Sequence, residues 1–184
     1  MYVKGNFLNF FITLPLIVAF DFYVLSNGKL DQAHTLEELP DAKITFLTVV
    51  FCALIDDFIF TLMHCVLHKP PLYALLHKQH HKLTDTNILG NHYTHPIEFA
   101  ILTTCTIAGP KILGMRCHYW TSWTWYLVRF WQGIEEHCGY DFSFSPMSVL
   151  PFSGHPEYHQ WHHFKNCGNY SLFFTYVDTL LGTN

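Results

Sequence analysis

Charge is scarce in this chain: of 184 residues only 13% are Asp, Glu, Lys or Arg, and the 10 Lys and Arg are scattered rather than clustered. With a net charge of −4 there is no basic stripe to follow a phosphate backbone, which excludes nucleic-acid binding. Six cysteines are present, without a C-x-x-C and mostly inside apolar stretches. Neither a disulfide framework nor a thiolate zinc site is expected, and a reducing compartment fits best. A G-x-G-x-x-G turn, a haem-attachment motif and iron–sulfur cysteine spacing are all missing, so any electrons must come from a separate donor.

Long apolar runs are present instead, in a chain that is 50% apolar and 17% aromatic. Residues Phe7 to Leu25 approach the roughly 20 needed to cross a hydrocarbon core, and Ile44 to Leu67 form a second candidate span. Between them the polar connection holds Thr35-x-x-Glu38, which has the form of a capping box. Ile97 to Leu113 and Tyr119 to Ile134 are shorter and read as a tilted or shallow hairpin. The expected architecture is all-α: an integral membrane helical bundle carrying a metal-binding cap. Residues 1–43 form an N-terminal membrane anchor with its polar connection, and residues 44–184 the metal-binding domain. Lys69, Lys78 and Lys82 place the segment after the second run on the cytosolic side.

Histidine is the composition's extreme, with 14 copies. His64 and His68 are spaced i, i+4 and project from one helix face. His77-x-x-His80-His81 and His159-x-x-His162-His163 repeat one spacing, which a run of surface histidines does not explain. Eight imidazoles are too many for one ion, since zinc sites take three or four protein ligands, so two neighbouring metal centres are expected. His137 follows the hairpin and is a ninth candidate ligand. His95 is a near-site candidate, while His34 and His118 are assigned to loop or interfacial surface. Asp57 lies within about 20° of the line through His64 and His68 at 100° per residue. There it is expected to accept the second N–H of a box-one imidazole and fix its tautomer. Asp56 points elsewhere, toward another helix.

Imidazole suits zinc, copper, iron and nickel alike. A pair of ions beside an apolar, aromatic hairpin at a membrane surface favours lipid oxidation, the aromatic candidates being Trp120, Trp123, Trp125 and Phe130. Reduced iron with O2 attacks unactivated C–H bonds, which side chains alone do not.

The three boxes, together with His95-Pro96-Ile97-Glu98, His137-Cys138-Gly139-Tyr140 and Asp178-x-x-Leu181-Gly182-Thr183, resemble the fatty acid hydroxylase / sterol desaturase superfamily over about residues 39–184. Within it the chain is most similar to the sterol C4-methyl oxidases. The resemblance implies an endoplasmic-reticulum membrane enzyme with its metal site on the cytosolic face, two iron ions, O2 as co-substrate, and electrons from NAD(P)H through a reductase and cytochrome b5. The implied reaction is oxidation of a sterol, at a C4-methyl group, or of a similar lipid. The implied ligands are His64, His68, His77, His80, His81, His137, His159, His162 and His163. Fatty acid 2-hydroxylases have a further histidine where this chain has Gly133, and His95 is the substitute offered for that tenth ligand. Alternatives are a fatty-acyl or sterol desaturase or hydroxylase with the same site, or a truncated, catalytically inactive metal-binding membrane protein.

Overall fold

The computed structural model describes residues 2–26, 28–29 and 35–184. His34 lies outside them. The described chain is helical, without strands. Helix α1 (Tyr2–Leu25), α2 (Ala42–Leu67) and α3 (Pro96–Leu113) are long and apolar enough to cross a membrane, α3 with its last turn reaching Arg116. The third run is thus a full-length candidate span rather than half of a shallow hairpin, because Pro96 and the 3-10 turn Gly114–Arg116 extend it to 21 residues. Helix α4 (Tyr119–His137) returns beside it, followed by α5 (His155–Lys165) and α6 (Tyr176–Leu181).

Local chemistry sets these boundaries. Asp41 caps α2 by accepting from the Ile44 amide at 2.8 Å. Thr35 and Glu38 form the expected capping box. His95 and His118 cap α3 and α4, each Nδ1 accepting an amide hydrogen from two residues on, at 3.2 and 3.1 Å. His118 is therefore buried and structural rather than a surface residue.

Helices α2 and α3 pack closely, with α4 against both. At their contact a Cβ on Gly109 would stand 2.9 Å from the Cys52 backbone, so only glycine allows this approach. The core contains Cys52, Phe60, Cys105, Trp125 and Phe173. Trp125 is fully buried and donates to the Thr106 carbonyl at 2.8 Å, and Trp120 is exposed. Of the four aromatics expected to line a substrate path, only Trp123 and Phe130 do so. Asp56 pairs with Arg129 of α4 at 2.9 Å.

Helix α1 stands apart, mostly unburied. It contains two π-helical turns, Asn9–Thr13 and Asp21–Leu25. Asn9 of the first turn donates to the carbonyls of His92 and Thr94 at 3.0 and 3.1 Å, and Asp21 of the second meets Lys111 of α3 at 3.0 Å. The box-bearing segments follow α2 and α4, so all of them gather at one end of the bundle.

Candidate metal centre

Nine histidines converge in two groups. His64, His68, His77, His81 and His162 form one; His80, His137, His159 and His163 form the other, and within each the ring nitrogens lie within 4.8 Å of one another. They include every box histidine and His137. His95 is in neither group; its ring serves the α3 cap.

The two H-x-x-H-H boxes interlock. His77 and His81 go to the first group and His80 to the second, whereas His159 and His163 go to the second and His162 to the first. The i, i+4 pair of each box thus serves one group while the i+3 ring serves the other. Box two does not lie on one regular helix: the chain runs through a π-turn (Tyr73–His77) and then a 3-10 turn (His80–Lys82). Gln160 of box three ties the segments together, donating to the Thr84 carbonyl at 3.0 Å and accepting from the Thr86 amide at 3.1 Å.

Within the groups it is Nε2 that meets Nε2. His64, His68 and His81 approach His77 at 3.1, 3.0 and 3.0 Å, and His162 approaches His81 at 3.1 Å. In the second group His159 meets His137 at 3.1 Å and His163 at 3.0 Å. The opposite nitrogens face acceptors: His64 Nδ1 donates to the Tyr170 carbonyl at 2.8 Å, His162 to Gly168 at 2.6 Å, His163 to Leu83 at 3.0 Å and His137 to Gly133 at 2.9 Å. A carbonyl only accepts, so Nδ1 carries the proton and Nε2 is left with a bare lone pair. Lone pairs aimed at one another 3.0 Å apart repel unless a cation lies between them. Two nitrogens about 2.1 Å from one ion and about 90° apart have this spacing. The donor set therefore fits two metal ions.

Burial supports this protonation state. It pushes the His68 ring down to about 3 and His163 to about 4, and it holds His80, His159 and His162 well below the ordinary imidazole range, with neighbouring rings adding to the effect. Neutral imidazole is the form that binds metal.

Asp57 does not perform the expected task. It lies seven residues before His64, a rise of about 10 Å along the helix, which is beyond reach of that ring. Its Oδ1 accepts from the amides of Leu172 and Phe173 at 3.0 and 2.8 Å. Asp178 takes the Tyr170 and Ser171 amides at 3.1 and 2.7 Å. Together these two acids hold the irregular segment whose Tyr170 carbonyl orients His64. The carboxylate that does reach a box histidine is Glu98, fully buried, with Oε1 2.7 Å from His77 Nδ1. Its signal in the sequence is an acid in the first turn of an apolar run, within the His95-Pro96-Ile97-Glu98 pattern of the resemblance.

Gly168 supplies the His162 acceptor from a left-handed conformation (φ +70), and a Cβ there would stand 2.8 Å from the Thr183 carbonyl oxygen. Such backbone acceptors leave no mark in composition or spacing.

A cavity of about 870 Å³ opens beside both groups. His64, His77, His80, His137 and His159 form one end, Phe10, Phe99, Leu102 and Phe130 line its body, and Asp21, Ser26 and Lys111 lie at the other end. From Glu98 to Lys111 the α3 axis rises about 20 Å.

A family model described as fatty acid hydroxylase matches residues 49–183. A Dictyostelium discoideum protein provisionally named a methylsterol monooxygenase is 35% identical over 174 residues, covering 95% of this chain and 62% of its own length. A very-long-chain aldehyde decarbonylase of Oryza sativa is 38% identical and methylsterol monooxygenase 2-2 of Arabidopsis thaliana 36% identical, each over 149 residues, 79% of this chain and 55% of the relative. The chain thus spans about three fifths of the length of these relatives. No solved structure matches it. On the match through all three boxes, the chain belongs to the fatty acid hydroxylase family.

Proposed function

We propose that this protein is a membrane-bound di-iron monooxygenase that oxidises a sterol, at a C4-methyl group, or a similar lipid. The observation that carries the reading is the convergence of nine imidazole rings in two groups at the end of an apolar cavity. His64, His68, His77, His81 and His162 would hold one ion, and His80, His137, His159 and His163 the other. Iron held there supplies activation of O2 toward an unactivated C–H bond. The overall change is C–H plus O2, two electrons and two protons to C–OH plus water. With no redox motif in the chain, the electrons come from an external donor such as cytochrome b5 with an NAD(P)H reductase.

The protein's own part is placement. Glu98 and the carbonyls of Tyr170, Gly168, Leu83 and Gly133 fix the rings, while Phe10, Phe99 and Phe130 keep water from the reacting carbon and guide an apolar body toward the histidines. The metal end lies on the cytosolic face of the endoplasmic-reticulum membrane in this reading, where the lysines around box two meet the donor. The names of the relatives support a sterol substrate. Detergent-purified protein should hold about two iron ions and consume O2 with a 4-methylsterol and reduced cytochrome b5. Metal binding without O2 uptake would leave a non-catalytic metal protein, and a double bond or a lost aldehyde carbon among the products would mark a different reaction at the same site.

A further inference from the structure

Polar side chains on the cavity wall gather near the histidines, and several lack partners there. Gly133 lies one turn before His137 on α4. A Cβ at this glycine would stand 2.9 Å from Asn91 Nδ2 and 3.2 Å from Arg129 Nη1, so the two side chains meet over the bare backbone. Arg129 gives Nε to Asp56 and Nη1 to Gln132, at 2.9 and 2.8 Å, and its Nη2 has no acceptor among the described residues. The Asn91 amide and the His92 ring make no side-chain hydrogen bond among the described residues. Glu136, on the next turn, is buried with Oε2 unpartnered. All four line the cavity.

Glu136 is buried, and Asn91, His92 and Arg129 are half-buried along the cavity wall; polar groups shielded from water without partners are costly, so a site that keeps them together implies a ligand that supplies the missing partners. The ligand group must both donate and accept, which a hydroxyl does. A carboxylate is disfavoured, since the Arg129 charge is already matched by Asp56. At the far end of the cavity Lys111 is engaged by Asp21 and Ser26 at 3.0 and 2.7 Å.

We propose that Asn91 and Arg129, lying over Gly133, bind a hydroxyl group of the lipid, with Glu136 and His92 completing its surroundings. The hydroxyl then sits beside His137, the oxidised carbon lies within a few bonds of it, and the apolar remainder runs toward Lys111. This rests on the oxygenase reading for its chemistry but not for its binding.

The test compares a 4-methylsterol with its 3-deoxy counterpart on the full-length, iron-loaded protein. Wild type should show a KM about tenfold lower for the alcohol, the scale of one hydrogen bond to a charged or well-placed group. Asn91→Leu should remove that preference by raising KM for the alcohol to about that of the deoxy lipid. Gly133→Ala should act in the same direction by displacing Asn91 and Arg129. Equal KM values in the wild type, or a variant that weakens both lipids alike, would overturn the proposal. Equilibrium binding of both lipids, followed by tryptophan fluorescence, separates the two readings. A hydroxyl preference without O2 uptake upholds the anchor and refutes the oxidation, whereas equal binding with O2 uptake refutes the anchor alone.

Discussion

The two histidine groups differ in how they are framed. The first has five rings, two of which (His64 and His77) line the cavity, and it is backed by the buried Glu98 carboxylate. The second has four rings, three of which (His80, His137 and His159) line the cavity, and the acceptors its rings meet are carbonyls only; among the described residues Nδ1 lacks a partner on two of its four rings, His80 and His159, against His81 alone of the five in the first group. One group is therefore enclosed and electrostatically braced, the other more open to whatever occupies the cavity. The contrast teaches that near-identical boxes produce unlike sites when the surrounding backbone differs.

The largest effect should come from removing a ring. His77→Ala, which takes away the nitrogen that meets three others, should abolish O2 consumption and lower the metal content of the first group. His159→Ala should abolish O2 consumption too, but with loss confined to the second ion. Metal analysis beside oxygen-electrode measurements checks both, and equal depletion of both ions by either variant would erase the distinction.

Next in size is Glu98→Gln. Loss of the charged acceptor behind His77 should weaken metal binding in the first group by about 10- to 100-fold and leave the second almost unchanged. Competition with a graded chelator reads this directly. Asp57→Ala should be smaller for the metal and larger for the fold: stranding the Leu172 and Phe173 amides costs about 3 kcal/mol, seen as a lower unfolding midpoint.

Acidification should have the mildest effect. Buried neutral rings such as His68 and His163, held at about 3 and about 4, resist protons that the unfolded chain accepts near its ordinary value of about 6.5. Their contribution is complete above about pH 6.5 and is lost as pH falls toward about 4. Metal-free protein should therefore lose stability across that window, and metal-loaded protein should hold out to lower pH. A midpoint that rises on acidification would contradict the neutral assignment.

Much of this was legible in the sequence, for identifiable reasons. Helical spacing and the repeated H-x-x-H-H are local properties, so all nine converging histidines could be named before any contact was known. Their division between two groups could not, because it depends on the π-turn at Tyr73–His77 and on how α5 crosses box two. Angular periodicity placed Asp57 on the right face of α2 but carries no information on distance along the axis, which is why Glu98, supplied by another helix, went unassigned. Apolar length identified the first two spans, and it understated the third because Pro96 and the polar 3-10 turn Gly114–Arg116 lengthen the helix beyond its apolar run.

Helix α1 supplies Phe10, Leu14, Ile17 and Val18 to the cavity while most of its own surface is uncovered. Its polar side-chain ties lie at Asn6 and Asn9 near one end of that wall and at Asp21 near the other. The compartment beside the histidines thus shares a partition one helix thick with the surrounding bilayer. A lipid passing that partition would trade one oily environment for another and never meet bulk water, so the choice among lipids falls to fit and to the few polar atoms inside.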